Sequence, residues 1–356
     1  MSSEHNERCR RMKIVVDDKI PYILPALHEL AEEVVAKGGS EICAADVRDA
    51  NILVVRTRTR CNRALLEGSR VQLVVTATIG YDHLDTAWLE AAGVAWANCP
   101  GCNATSVAQY IRNSLLVLSR ERGLDLMAAT IGIVGAGHVG SAVAQALQSI
   151  GCRHLLLNDP PLEASPARPQ LAGEWVSLSR VEAEADIITF HTPLTRTGPY
   201  PTLHLADEAF FTALAHRPGR IILNAARGGV VDEAALLRAM DSGVVAEAII
   251  DTWEGEPAIN AELLRRAFIA TPHIAGYSAD GKAHATRMVL ARICQLLNRP
   301  MTFEIQPPAL PITSPEPTDP IDRFLLRYDP RADTRRLREH PDAFEWQRGH
   351  YPLRRE

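Results

Sequence analysis

Short runs of apolar residues alternate along this chain with longer segments whose apolar residues recur at helical spacing. Runs that are apolar throughout are typical of strands buried on both faces of a parallel sheet. The alternation therefore predicts right-handed βαβ crossovers and an α/β fold with doubly wound parallel sheets. The predicted strands are 13–17, 51–55, 71–76, 94–97, 131–134, 155–157, 186–190, 220–223, 247–250 and 268–270, and the clearest helical segments are 25–35, 103–120, 143–150 and 282–297.

A glycine motif follows the predicted strand 131–134. The sequence Gly135-Ala-Gly-His-Val-Gly140 is a G-x-G-x-x-G that leads directly into a helical pattern. In this arrangement Gly135 allows a tight turn, Gly137 lets a pyrophosphate approach the backbone, and Gly140 lets the helix pack on the strand. The N-terminus of that helix would face the phosphates with free N–H groups. The motif predicts a dinucleotide-binding unit.

The choice of dinucleotide depends on an acid at the end of the next strand. Asp159 lies nineteen residues beyond Gly140, where a carboxylate hydrogen-bonds the hydroxyls of the adenosine ribose. A carboxylate there would repel a 2′-phosphate, so the sequence predicts NAD rather than NADP. The alternative is an ordinary strand–turn–helix with a surface aspartate.

Composition limits the classes of function. The chain has 356 residues, enough for two or three domains, and 46% of them are hydrophobic. Its formal net charge of −5 gives no reason to expect nucleic acid or an anionic membrane as a partner. Residues 1–11 are polar and lack the apolar core of a signal peptide, so we expect a disordered extension and a cytoplasmic protein.

The cysteines do not indicate a disulfide framework or a metal site. Seven are spread along the chain, and Cys99 and Cys102 form a single C-x-x-C. A redox pair or half of a zinc site would need a second such motif or nearby histidines. We therefore predict a structural loop at 99–102 and no metal.

The predicted elements divide the chain into two Rossmann-like doubly wound domains. Residues 12–103 and 279–299 would form a substrate-binding (lid) domain. Residues 104–278 would form an inserted NAD-binding domain. A Pro-rich linker is predicted at 300–320.

Beyond the linker, residues 321–356 are rich in arginine and acids. This region is too small to hold a good core alone, and a partner chain could supply the missing burial. It is therefore predicted to be a small C-terminal dimerisation domain in a homodimer.

Polar residues at the ends of predicted strands are candidates for chemistry, because ligands of open α/β sheets bind at the carboxyl ends of strands. The loop Arg56–Thr59 could hold an anion such as a phosphate; the alternative is a solvated surface loop. Arg227 could grip a carboxylate with its planar fork; the alternative is a salt bridge at a helix terminus. His273 could accept the proton of an alcohol while NAD accepts the hydride.

A carboxylate behind that imidazole would fix its tautomer. Two acids, Glu254 and Glu256, follow the predicted strand 247–250, and spacing alone does not decide between them. Each of these strand-end segments is a weak signal by itself. Taken together, they predict a dehydrogenase site.

The segments 224–229, 251–257 and 271–277 resemble the signatures of the D-isomer-specific 2-hydroxyacid dehydrogenases. The resemblance implies that Arg227, Glu256 and His273 are the catalytic residues, with His273 as the acid/base. It therefore selects Glu256 over Glu254. It also implies an NAD-dependent oxidation of a 2-hydroxy acid.

The same resemblance implies further contacts. The implied cofactor contacts, together with the three glycines of the motif, are His138, Val139, Asp159, Thr192, Ala225, Ala226, Arg227, Asp251 and Gly276. The implied substrate contacts are Thr57, Thr78 and Tyr277, and Arg56 is our prediction for the second anion contact of a phosphorylated 2-hydroxy acid. A C-terminal dimerisation domain is also implied, in a form that is shorter here than in the family.

Two other functions stay open at this point. The chain could act on a different D-2-hydroxy acid, or it could be a non-catalytic NAD-sensing protein that keeps the family's residues.

Overall fold

The strands of this chain build two separate parallel sheets. The computed structural model describes residues 12–310 and 317–356, so the predicted extension at 1–11 and part of the predicted linker lie outside the described residues. Within the described ranges the twelve strands are β1 Lys13–Asp17, β2 Glu33–Lys37, β3 Ile52–Val55, β4 Leu73–Thr76, β5 Ala95–Ala97, β6 Thr130–Val134, β7 His154–Asn158, β8 Glu174–Trp175, β9 Ile187–Phe190, β10 Arg220–Asn224, β11 Val245–Ile250 and β12 Ile269–Ala270.

Helices connect these strands. Over the same described ranges the α-helices are α1 Leu24–Leu30, α2 Ala44–Val47, α3 Arg63–Leu66, α4 Thr86–Ala91, α5 Ala104–Arg122, α6 His138–Gln148, α7 Pro160–Glu163, α8 Leu178–Glu184, α9 Glu208–Leu214, α10 Glu233–Asp241, α11 Ala261–Arg266, α12 Ala279–Leu296, α13 Pro320–Arg327, α14 Pro330–Glu339 and α15 Phe344–Gly349. Short 3₁₀ turns lie at Gly228–Val230 and Pro341–Ala343. No helix in this described part combines the length and apolarity that a membrane span requires.

The first compact unit consists of residues 12–102 and 279–309. Its sheet has the strand order β2-β1-β3-β4-β5, with every pair parallel. Helices α1 and α12 contribute to the core on one face of this sheet, and α2, α3 and α4 contribute to the core on the other. The central strands β1, β3 and β4 are buried almost throughout because both faces are covered.

The second unit consists of residues 103–278 together with the C-terminal region. Its sheet has the order β12-β11-β10-β9-β6-β7-β8 and is also parallel. The strand order reverses between β6 and β9, and a ligand of such a sheet binds at that reversal. This is the doubly wound arrangement that the alternation of elements predicts.

The predicted helix 25–35 is wrong in its second half. Helix α1 ends at Leu30, and the chain continues as strand β2, in which Val34 pairs with Ile14 and Val35 with Val15 of β1. Because β2 lies at the edge of the sheet, its residues are only partly buried. An edge strand of this kind lacks the apolar run by which the predicted strands are recognised. The two-residue edge strand β8 is likewise absent from the prediction.

The C-terminal helices pack on the second unit. Leu337 of α14 and Phe344 of α15 lie in its core, with 0% and 1% of their surface exposed. Helix α14 also runs along the edge strand β12, where Thr334 Oγ1 accepts a hydrogen bond of 3.1 Å from Ala270 N–H. Much of the burial that the sequence leaves to a partner chain is thus supplied within this chain, and the dimer remains a prediction.

The core position of Leu337 generates a stability prediction. We expect Leu337→Ala to lower the free energy of unfolding by about 2–5 kcal/mol, because it opens a cavity in the core of the second unit. The matched change on the exposed side of α14, Arg335→Ala, should stay within about 0.5 kcal/mol. Urea denaturation of both variants measures the difference, and equally small effects would contradict this placement of α14.

Candidate active site

The loop between β6 and α6 depends on two glycines for its shape and leaves space at the third. Gly135 has φ +92°, and a Cβ there would lie 2.7 Å from the backbone of His191. A Cβ on Gly140 would approach the carbonyl oxygen of Gly135, so the close contact of helix and strand needs glycine. Within the described residues nothing lies within 4 Å of a Cβ placed on Gly137. The open side of the loop is therefore at Gly137, where the sequence predicts the pyrophosphate.

Polar groups border this loop. Asp159 follows β7 and accepts hydrogen bonds from Ala136 N–H at 3.0 Å and Leu162 N–H at 3.1 Å. After β9, Thr192 Oγ1 and His191 Nδ1 are buried without a hydrogen-bond partner in the described part of the chain. Burial lowers the pKa of His191 to about 3, so this imidazole is neutral. Orphaned polar atoms beside an open glycine loop fit a dinucleotide, and His138 and Val139 begin the helix that would face it.

The structure brings His273 and Glu256 together. Nδ1 of His273 lies 2.8 Å from Oε2 and 3.1 Å from Oε1 of Glu256, and Glu256 Oε1 accepts a hydrogen bond of 2.9 Å from Trp253 N–H. Burial alone would raise the pKa of Glu256, but the hydrogen bonds from His273 and Trp253 outweigh it, so the pKa lies below its usual range. An ionised carboxylate therefore stands behind the imidazole and leaves Nε2 as its free nitrogen.

Asp251 fixes the loop that carries His273. Its carboxylate is 1% exposed; Oδ1 lies 2.6 Å from Thr271 Oγ1 and accepts from Ile274 N–H at 2.8 Å, and Oδ2 accepts from Ala275 N–H at 2.9 Å. His273 itself has φ +55°, in the left-handed region that a non-glycine residue rarely adopts. Asp251, which the resemblance makes a cofactor contact, directs its side chain into this loop.

Gly276 in the same segment is shaped by a close neighbour. A Cβ there would lie 2.1 Å from Nδ2 of Asn103 at the start of α5, so only glycine fits. Asn103 was not singled out in the sequence. Its Oδ1 is buried and has no partner within the described residues, which resembles the situation of Thr192.

Arg227 lies in the loop that follows β10. Its Nη1 donates to the carbonyl oxygen of Ala226 at 2.7 Å, and Asn224 Nδ2 donates to the carbonyl oxygen of Arg227 at 3.0 Å. A Cβ on Gly228 would overlap the backbone of Trp253, so the two loops touch where the glycine stands. Ala225 and Ala226 continue this loop towards the strand.

The second acid of the segment has a different partner. Glu254 Oε1 lies 2.5 Å from Nε2 of His204, and Glu254 N–H donates to Glu233 Oε1 at 2.8 Å. Burial raises the pKa of Glu233 to about 7, and the neighbouring acids Asp232, Glu254 and Glu256 add to the effect. The geometry thus separates the two acids that spacing alone leaves open, and it agrees with the resemblance, since of the two only Glu256 contacts His273.

One cavity of about 310 Å³ in the second unit contains these groups. Its lining combines the three predicted catalytic side chains with apolar and glycine surfaces and one further cation. The lining residues are Leu194, Arg196, Leu203, Arg227, Gly228, Gly229, Trp253, Glu254, Gly255, Glu256 and His273. Arg196, in the exposed loop after β9, is a cation that the sequence did not single out.

The other predicted substrate contacts are divided between the units. In the first unit Arg56 Nη1 donates to the carbonyl oxygen of Lys19 at 2.8 Å, and Thr57 is exposed. Thr78 Oγ1 lies 2.6 Å from Thr76 Oγ1 and donates to the carbonyl oxygen of Gly80. Tyr277 belongs to the second unit.

Two further predictions are a structural loop at 99–102 and no metal site. Cys99 and Cys102 are buried, and burial raises the pKa of Cys99 to about 12, so this thiol stays protonated. The described residues contain no cluster of His, Cys, Asp and Glu that could hold a metal ion.

Comparison with known proteins assigns the chain to a family. Residues 103–275 match the model of the D-isomer specific 2-hydroxyacid dehydrogenase, NAD binding domain, and the chain belongs to this family of dehydrogenases. An erythronate-4-phosphate dehydrogenase of Bacteroides thetaiotaomicron is 49% identical to it over 97% of this chain and 97% of that protein. An erythronate-4-phosphate dehydrogenase of Edwardsiella ictaluri is 43% identical over 97% of this chain and 93% of that protein.

Solved structures of related enzymes share the fold. The apo form of D-mandelate dehydrogenase from Rhodotorula graminis matches with a TM-score of 0.67 at 22% identity, over 84% of this chain and 99% of that one. The D-lactate dehydrogenase of Aquifex aeolicus, complexed with NAD and lactic acid, matches with a TM-score of 0.61 at 20% identity, over 80% and 95%. The predicted α/β fold class is confirmed, and the match to an NAD-binding domain confirms the predicted cofactor.

Gly137, which precedes α6, and Gly140, which lies within α6, generate a pair of matched predictions. Gly137→Ala places a methyl group in open space, so we expect little change in the melting temperature without cofactor but at least a tenfold loss of NAD affinity. Gly140→Ala forces a methyl group against the Gly135 carbonyl and should lower the melting temperature strongly. Thermal unfolding and calorimetric titration with NAD test both; wild-type affinity in Gly137→Ala would contradict a pyrophosphate at this position.

Glu233 generates a prediction about pH. Its pKa is raised from 4.5 to about 7 in the folded protein, so the unfolded chain loses this proton first. Stability from this group is therefore lost as the pH rises from about 4.5 to about 7, on the order of 3 kcal/mol. Glu233→Gln keeps the acceptor for Glu254 N–H and should be more stable than the wild type at pH 8 but not at pH 4. Urea denaturation at both values tests this, with Glu163→Gln on the surface as control; a pH-independent difference would refute it.

Proposed function

We propose that this chain oxidises 4-phospho-D-erythronate at C2 to (R)-3-hydroxy-2-oxo-4-phosphooxybutanoate with NAD, a step of pyridoxal 5′-phosphate biosynthesis. The observation that carries the chemistry is the cavity of the second unit, in which Arg227, Glu256 and His273 meet. The 49% identity to an erythronate-4-phosphate dehydrogenase over nearly the whole chain supports this substrate.

His273 is the proposed base. Nδ1 is engaged by Glu256 at 2.8 Å, so Nε2 carries the lone pair that accepts the proton of the C2 hydroxyl. As this proton leaves, the C2 hydrogen departs with its electron pair, and NAD, when bound, supplies the acceptor for that hydride. The ionised carboxylate of Glu256 stabilises the imidazolium that forms. The reverse reaction returns the same proton from His273.

Arg227 is the proposed contact for the substrate carboxylate. Its guanidinium lines the cavity beside His273, and the hydrogen bond to the Ala226 carbonyl restricts its position. A planar guanidinium binds a carboxylate through two parallel hydrogen bonds and polarises the developing carbonyl. This contact places C2 in a fixed orientation towards the imidazole.

A phosphorylated acid needs a second anion contact. The sequence prediction is the Arg56–Thr59 loop with Thr57 and Thr78, and Tyr277 is a further proposed contact. Arg196 lies in the same cavity as Arg227 and is the alternative cation for the phosphate. We further propose that the protein acts as a homodimer through 321–356 and in the cytoplasm.

A steady-state assay of the purified protein tests the proposal. NADH formation is followed with 4-phospho-D-erythronate, unphosphorylated D-erythronate and D-3-phosphoglycerate, and a 2-oxo acid is added in parallel to reoxidise retained NADH. We expect kcat/KM to be highest with 4-phospho-D-erythronate and to fall at least 100-fold without the phosphate. Faster turnover of D-3-phosphoglycerate would reassign the substrate, and NAD binding without any turnover would favour the NAD-sensing alternative.

His273→Ala is the control for this assay. It should lower kcat by roughly 10²–10⁴, the usual contribution of acid–base catalysis, while NAD affinity is kept. Activity near that of the wild type would remove His273 from the mechanism.

A further inference from the structure

The segment 351–356 packs into the second unit through a buried arginine. Arg354 is 4% exposed. It donates to Gln109 Oε1 at 2.8 Å, to the carbonyl oxygen of Ser106 at 2.6 Å and to the carbonyl oxygen of Ile274 at 3.3 Å. Its guanidinium carbon lies 3.7 Å from the ring centroid of Tyr328. One side chain thus joins helix α5 to the residue that follows His273.

Two neighbours of Arg354 contact the same loop further along. Glu356 Oε1 accepts hydrogen bonds of 2.6 Å from both Ser106 and Ser278. The ring of Tyr351 packs edge-on against Tyr277, with the centroids 5.9 Å apart. The segment therefore touches the loop 273–278 at Ile274, at Tyr277 and at Ser278.

The backbone beside His273 is held from both sides. The N–H group of Ile274 donates to Asp251 Oδ1, and its carbonyl oxygen accepts from Arg354. A non-glycine residue at φ +55°, such as His273, is strained and persists only where its surroundings enforce this conformation. Asp251 contacts this segment from the end of β11, and Arg354 contacts it from the C-terminal region.

We propose that Arg354 is a positioning residue for the catalytic base: it holds the backbone at Ile274 so that the His273 imidazole stays on Glu256. The C-terminal region then has a role in the chemistry of its own chain, apart from any role in assembly. The inference rests on the proposed function for its kinetic consequences, but the contact between His273 and Glu256 can be followed without substrate.

Several charged groups besides Glu256 surround the imidazole. Asp251 lies beneath the loop, and Arg196, Arg227 and Glu254 line the cavity. Glu233 accepts a hydrogen bond from the backbone of Glu254, and the charge of Arg348 of α15 interacts electrostatically with Glu256 and Tyr277. Arg354 is hydrogen-bonded to none of these groups, so a change there acts on His273 through the backbone.

The test compares two buried arginines of the second unit. Arg354→Lys keeps the charge, but an ammonium group cannot donate to all three acceptors in the planar geometry of a guanidinium. The matched control is Arg220→Lys: Arg220 is 2% exposed and likewise donates to backbone carbonyls, at Glu182, Ala183 and Ala185. Arg220 lies at the amino end of β10, whereas the loop of His273 follows the carboxyl end of β12. The two arginines therefore act at opposite ends of the parallel strands. Both variants should lose a similar amount of melting temperature.

We expect the two variants to differ in the chemistry. Arg354→Lys should lower kcat about tenfold and raise the Kd of NAD by much less, because the base is displaced but the glycine loop 135–140 is not. The dependence of its kcat/KM on pH should also differ from that of the wild type, because the contact between Glu256 and the imidazole is weakened. Arg220→Lys should keep both the kcat and the profile of the wild type. A wild-type kcat and profile in Arg354→Lys would overturn the inference.

A measurement without substrate separates this inference from the proposed function. In ¹⁵N-histidine-labelled protein, the proton on His273 Nδ1 that bonds Glu256 should give a downfield resonance that broadens in Arg354→Lys and persists in Arg220→Lys. Persistence in both would overturn the positioning role even if the substrate proves to be a different acid. Should Arg354→Lys fail to fold, Glu356→Gln must show a weaker change of the same kind, and a wild-type resonance in it would overturn the inference.

Discussion

The candidate active site depends on one buried carboxylate. Asp251 closes the end of β11 and binds two backbone N–H groups and one hydroxyl of the loop that follows β12. A carboxylate that is desolvated to this extent is stabilised only if its oxygens are satisfied, and the loop supplies the donors. The loop in turn gains a backbone conformation that it would not adopt alone. These hydrogen bonds to Asp251 position His273 and, with it, its pairing with Glu256.

Glycines determine how closely the loops at this edge of the sheet approach each other. Gly228 lies against the backbone at Trp253, Gly276 against Asn103, and Gly140 against Gly135. At each place a methyl group would separate two segments that must touch. The contact at Gly228 brings the loop of Arg227 against the loop that carries Glu256, and both loops line the space of about 310 Å³ that His273 also lines.

The sequence predicts the parts of the fold that are buried on both faces. Strand β3, for example, is a continuous apolar run because helices cover both sides of the sheet. The pattern at 25–35 predicts helix where the edge strand β2 lies, because partial burial removes that signal. The C-terminal helices were expected to need a partner chain, because the sequence does not reveal that Leu337 and Phe344 fit the core of the second unit.

The sequence by itself determined the α/β class, the glycine loop with its following acid, and the residue types that a dehydrogenase needs at strand ends. These are local properties: a turn that only glycine can make, or a run whose periodicity reports its own burial. The tertiary structure decided which acid serves the histidine. Glu254 and Glu256 are two residues apart and chemically alike, and only the packing of their loop directs one to His204 and the other to His273. Residue type and spacing do not encode this choice, because it depends on contacts between residues distant in the chain.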